Sequence, residues 1–153
     1  MSRYILMASF VGAMAVALAA QAPQQGTKFI GTWKLDVARS HYTPGPAPKA
    51  ETVTVGAADI SIEGTNADGT PYHASYAPIQ GKAVPVTGGE ANETATVTRV
   101  NSRTLRFENV VGKGKMSGRV VLARSGNLVT ATFQGTDKDG KPVHSREVYT
   151  RQP

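Results

Sequence analysis

Phe29-Ile30-Gly31-Thr32-Trp33-Lys34-Leu35-Asp36 decides how this chain folds. Phe29, Gly31, Trp33 and Leu35 fall on one side of an extended backbone, with Thr32, Lys34 and Asp36 on the other, the period of two that marks a half-buried strand. The stretch also holds the only tryptophan of the 153 residues. Just beyond it, Asp36 can cap a single helical turn over Val37-Ala38-Arg39-Ser40. The segment Tyr42-Thr43-Pro44-Gly45-Pro46-Ala47-Pro48 then reads as an ordered crossing loop, because its three prolines lack the amide donors that strand pairing needs.

Before that strand, Arg3 precedes an apolar run from Tyr4 to Ala20 that ends in small residues. Residues 1–22 are expected to be a secretory signal peptide, and 23–28 a flexible leader. The run is short for a membrane span and no second one follows, so the mature chain is expected to be exported, periplasmic or secreted from a bacterium, without a transmembrane segment. There is no cysteine, hence no disulfide, and packing must supply the stability.

Beyond residue 50 the chain reads as a meander. Strands are expected near 51–56, 60–65, 72–79, 83–87, 94–100, 104–111, 115–123, 128–135 and 143–151, joined by links such as Asn66-Ala67-Asp68-Gly69-Thr70-Pro71 and Asp137-Lys138-Asp139-Gly140-Lys141-Pro142. The mature part carries 16 Thr and 14 Val but only 4 Leu, a β-branched composition that suits pleated surfaces. One hairpin register can be read directly. A turn at Lys113-Gly114 sets Val111 against Met116, Phe107 against Val120 and Glu108 against Arg119, and Phe133 on the next strand against Gly118. All the apolar residues then share one face. Nine or ten antiparallel strands with one apolar face bury that face and lose their edges together by closing, so residues 29–153 are expected to form an all-β, single antiparallel up-and-down barrel of about 8–10 strands.

Gly31-Thr32-Trp33 resembles the first-strand Gly-x-Trp motif of lipocalins and related calycin barrels. With Leu35-Asp36, Ser40 and Pro44-Gly45-Pro46-Ala47-Pro48, the region looks like that of exported bacterial lipocalin-like proteins of unassigned function. The resemblance implies that Trp33 plugs the closed end of the barrel, beside Gly31, and that an arginine from the last strand lies across it. Arg151 is the matching residue.

The residues that could carry function are few. Tyr72 and Tyr76 share a face with Ala74 and would bring two hydroxyls into an apolar interior. Arg99 points inward if it follows Ala95 and Val97, where it could hold an anionic head group, and outward beside Arg106 in another register. The cations Arg99, Arg103, Arg106, Lys113, Lys115, Arg119 and Arg124 share 26 residues with one acid, Glu108. They read as a solvated exterior able to make weak contact with an anionic envelope surface. His41, His73 and His144 are scattered, no metal-ligand spacing occurs, and there is no catalytic elbow, phosphate loop or paired-carboxylate motif. These features point to a monomeric, non-enzymatic exported protein without a cofactor or nucleic-acid partner, which binds a small, largely apolar ligand, with or without an anionic head group. A protease- or lysozyme-inhibiting interaction module is the alternative. Because Ala, Val, Gly and Thr dominate the inward set, the centre is expected to have room for that ligand.

Overall fold

The computed structural model describes residues 28–153, so the expected signal peptide and leader residues 23–27 lie outside the described residues. Eleven strands follow in order: β1 (Gly31–Leu35), β2 (His41–Thr43), β3 (Ala50–Val55), β4 (Ile60–Thr65), β5 (Pro71–Tyr76), β6 (Ala83–Pro85), β7 (Thr94–Asn101), β8 (Thr104–Val111), β9 (Gly114–Leu122), β10 (Leu128–Thr136) and β11 (Pro142–Arg151). A 3₁₀ turn over Val37–Arg39 starts at Asp36, whose carboxylate accepts the Arg39 amide. Tyr42 and Thr43, expected to open the crossing loop, instead continue a short strand from His41 that pairs with β11, Tyr42 finding Ser145 as its partner before the prolines begin.

The sheet is all antiparallel, ordered β5-β4-β3-β1-β11-β10-β9-β8-β7-β6, with β2 added on β11. This is an up-and-down barrel, nearly closed. Across the one remaining seam, Ser75 and Thr87 exchange two backbone hydrogen bonds of 2.9 and 2.8 Å.

The β8–β9 hairpin differs from the expected register by two residues. Val111 pairs with Gly114, Phe107 with Gly118 and Leu105 with Val120, so the turn is Gly112-Lys113. Gly112 has φ 57°, the left-handed conformation that the first position of such a two-residue turn requires. A slip of two residues keeps every side chain on its own face. It does change the exterior pairs, setting Arg106 opposite Arg119 and leaving Glu108 to meet Lys115 at 3.5 Å. Phe133 lies opposite Gly118 as expected.

Trp33 is fully buried, and its indole Nε1 donates to the Phe29 carbonyl at 2.8 Å. The Arg151 guanidinium lies 4.2 Å from the ring centroid and donates to the carbonyls of Gly126, Ile30 and Lys28 at 2.8, 2.7 and 2.5 Å. Gly31 has φ 142°, and a Cβ there would stand 2.6 Å from Arg151 Nη1, so glycine is what lets the arginine reach across.

The centre is not the open space that the small inward residues suggest. Trp33, Val53, Ile60, Ile62, Val120, Val129, Ala131 and Tyr149 are inaccessible to solvent, and no apolar core residue exceeds 7 % exposure. The filling comes from a few large groups. Phe107 and Phe133 meet edge to face at 5.7 Å, either side of Gly118 in the register, with Met116 beside them.

A Cβ at Gly118 would stand 2.0 Å from the Thr132 carbonyl oxygen and 2.5 Å from the Phe133 ring. Gly118→Ala is therefore expected to destabilise the fold by about 1–3 kcal/mol through overpacking, read as a lower urea midpoint at unchanged slope.

Candidate functional site

Toward the end of the barrel away from Trp33, the inward positions turn polar. On β11 these are Ser145, Glu147 and Tyr149, all buried. Glu147 lies where β11 changes partner, from β1 at Tyr149 to β2 at Arg146. On β3 the inward polar residue is Glu51, paired with Gly64 of β4, which in turn pairs with Tyr72 of β5. The middle position has no side chain. A Cβ on Gly64 would lie 2.3 Å from the Tyr72 ring, so glycine opens the window through which Tyr72 leans across to Glu51.

The result is one continuous chain of hydrogen bonds. Ser145 Oγ donates to Glu147 Oε1 at 2.8 Å, and Tyr72 Oη donates to Glu51 Oε2 at 2.6 Å. Between them Tyr149 Oη stands 2.7 Å from Glu147 Oε2 and 2.5 Å from Glu51 Oε1. A phenol has one proton to give, so it can donate to only one of these carboxyl groups. The other carboxyl must donate to it, and must therefore be protonated. Burial without a neighbouring cation supplies the reason. Desolvation first, then the charge of Glu51, pushes Glu147 up to about 8. Glu51 is also raised by burial, opposed by the hydrogen bonds from Tyr149 and Tyr72 that favour its ionised form. The arrangement is thus a neutral Glu147 donating to Tyr149, and an ionised Glu51 receiving two phenols. Half-buried Tyr42 of β2 stands alongside, and burial holds all these phenols protonated.

A second polar group lies at the start of β7. Glu93 is 2 % exposed and accepts the Asn109 amide at 2.7 Å and the Glu90 backbone N–H at 2.9 Å. Desolvation raises its pKa. Close by in the core, the Tyr76 hydroxyl and the Asn109 side-chain carbonyl are buried with no hydrogen-bond partner.

Beside the first cluster, the β4–β5 hairpin carries an open surface groove of about 420 Å³ lined by Glu63, Gly64, Pro71, Tyr72 and His73. Tyr72 belongs to both. Its ring lines the groove, and its hydroxyl holds the buried Glu51.

Of the residues expected to form a site, Tyr72 and Tyr76 do face inward, but on different business: Tyr72 reaches Glu51, and Tyr76 has no partner. Arg99 pairs with the buried Leu105 and so keeps the face of Ala95 and Val97 instead of lying beside Arg106, but at the strand end it is exposed, with its amide held by Gln80 and its Nε on the Asn101 carbonyl. The ladder shifts just beyond it, between Arg99 and Asn101. Gly31, Trp33 and Arg151 lie together, the guanidinium over the indole and close above Gly31. The exterior cations stay outside, Arg106, Lys113, Lys115, Arg119 and Arg124 being exposed and Arg103 partly so. His41 and His144, far apart in sequence, meet at 6.1 Å on the outer face, and no cluster of three metal-ligating side chains occurs among the described residues.

The carboxyl pair escaped the reading of the sequence because Glu51 and Glu147 sit on strands that meet only after the barrel closes. A signal was nevertheless present. Ser145, Glu147 and Tyr149 alternate as polar residues on what must be the buried face of a long strand.

No family model matches the chain, and no curated protein matches it in sequence. In structure it is similar to a Schistosoma mansoni fatty-acid-binding protein in complex with arachidonic acid, at 16 % identity and a TM-score of 0.55, covering 84 % of this chain and 100 % of that one. It is also similar to the fluorescent protein UnaG, at 13 % identity and a TM-score of 0.51, covering 82 % of this chain and 98 % of that one. In fold the chain is thus similar to these fatty-acid-binding-type antiparallel β-barrels.

The raised carboxyl pKa has a sign that urea unfolding can check. The folded state holds a proton on Glu147 that the unfolded state, with its ordinary value of 4.5, has released. That stabilisation is complete below about pH 4.5 and is lost as pH rises through about 8. Stability is expected to fall between pH 5 and pH 8 by on the order of a few kcal/mol, and Glu147→Gln is expected to flatten the profile.

Proposed function

We propose that this chain is an exported binding protein that holds a small, largely apolar molecule at the end of its barrel opposite Trp33, the molecule entering by the Tyr72 groove. The observation that carries the reading is the double role of Tyr72, a groove wall whose hydroxyl is bonded to a buried carboxylate. A buried dicarboxylate is costly to maintain and adds little to a core that could have been apolar. Its connection to the surface through a single tyrosine gives the cost a use, because a molecule lying against Tyr72 has a polar contact waiting behind an apolar wall. The calycin-type fold supports the same reading, as does the open groove beside Tyr72. The first 22 residues support the exported setting. Since the centre is filled, the ligand replaces no empty volume there; it lies at the mouth, against Tyr72.

Protein purified from the envelope of the exporting cell is expected to carry a small molecule in native mass spectrometry, and the stripped protein to bind a hydrophobic dye that the molecule displaces. Tyr72→Phe should weaken that binding about tenfold, the equivalent of one hydrogen bond. Consistently ligand-free protein that ignores both dyes and lipids would overturn the proposal.

A further inference from the structure

The interior is one-sided in charge. Among the described residues its buried ionisable groups are Glu51, Glu93, Glu147 and tyrosines, with no lysine, arginine or histidine. A carboxylate or phosphate head group would bring negative charge to negative charge, with no guanidinium to receive it. The interior already carries one surplus proton, since the four hydrogen bonds linking Ser145, Glu147, Tyr149, Glu51 and Tyr72 have only three hydroxyl protons to fill them.

A second observation concerns hydrogen-bonding positions left empty. The Tyr76 hydroxyl, 4 % exposed, and Asn109 Oδ1, in a residue 2 % exposed, have no partner. Both can accept an N–H. Tyr76 is on the same inward face of β5 as Tyr72, and its phenol feels the charges of Glu93 and Glu51 without bonding to either. Buried acceptors are rarely left bare in a native core. Two of them, in an interior whose charged groups are also all acceptors, are matched by a ligand rich in N–H donors.

We propose that the ligand's head group is a protonated amine on an apolar body, admitted past Tyr72 and held by the Glu51–Tyr149–Glu147 chain in place of its surplus proton. This rests on the reading of the groove as the ligand's way in. The exchange balances. Before binding, the pair holds one negative charge and one proton; afterwards it holds two carboxylates and one ammonium, and the proton has left to solvent. The interior's net charge does not change, so the transfer avoids the penalty of burying an unpaired ion. An ammonium offers three N–H donors, which the carboxylate oxygens of Glu51 and Glu147 can accept. The groups facing the exchanged proton are Glu51 on β3, Tyr72 on β5, Tyr42 on β2, and Ser145, Glu147 and Tyr149 on β11. None is basic, so none can substitute for the incoming cation.

Isothermal titration of the full chain with octylamine, octanol and octanoate, each in two buffers of different ionisation enthalpy, tests this. Octylamine is expected to bind at least about tenfold more tightly than the other two and to release about one proton per molecule bound at pH 7. Its affinity should rise about tenfold per pH unit from pH 5 to 7, as one displaced proton requires, and level off near pH 8. Glu147→Gln should abolish the proton release and the preference for the amine; if that variant does not fold, the proton count and pH slope of the natural chain decide alone. Octanol or octanoate binding as tightly as octylamine, or octylamine binding without proton release, would overturn the amine while leaving a binding barrel standing. Failure of all three, together with failure to bind a hydrophobic dye, would overturn both.

Discussion

The barrel depends on the contact between Arg151 and Trp33. One guanidinium covers the indole and at the same time donates to the carbonyls of Lys28, Ile30 and Gly126, tying the approach to β1, the hairpin before β10 and the end of β11 at a single point. A cation over an aromatic face contributes about 0.5–2 kcal/mol, according to how far it is desolvated. Its larger effect is topological. β1 must lie between β3 and β11 for the sheet to come round, and Arg151 opposite Trp33 fixes that register.

Away from that contact along β3 and β11, the buried polar residues are concentrated. The Trp33 end satisfies its indole and arginine with backbone carbonyls, which titrate nowhere near neutral pH. The far end satisfies its phenols and serine with carboxyl groups, which do. Glu147 and Glu51 share a proton because burial makes two adjacent negative charges too costly and no cation is near. Gly64 and Gly118 show the same logic in steric form. Each removes one side chain from a strand face so that an aromatic ring can cross it, Tyr72 toward Glu51 in one case and Phe133 toward Phe107 in the other.

Much of the architecture was legible because alternation is a local signal. The period-two pattern of Gly31–Leu35 and of β7 to β11, with turn residues at the links, places strands within a residue or two of where they lie. The hairpin register was off by two because two adjacent turn positions both offered a glycine, and only backbone conformation distinguishes Gly112 from Gly114. The strand His41–Thr43 was hidden by the prolines after it. The interior was misjudged for a different reason: averaging over small residues ignores that a handful of rings, with Met116, is enough to fill a narrow cylinder. The carboxyl cluster was the least legible part. Its members come from β3, β5 and β11, and nothing in a one-dimensional pattern says that these face each other.

The seam at Ser75 and Thr87 sets this cylinder apart from a fully laced one. Elsewhere neighbouring strands are joined by ladders of up to nine paired residues, whereas here two backbone bonds do the whole job. In hydrogen bonds alone, parting them costs about 1–3 kcal/mol. The wall is therefore like a split collar, its lightest stitching beside Tyr76.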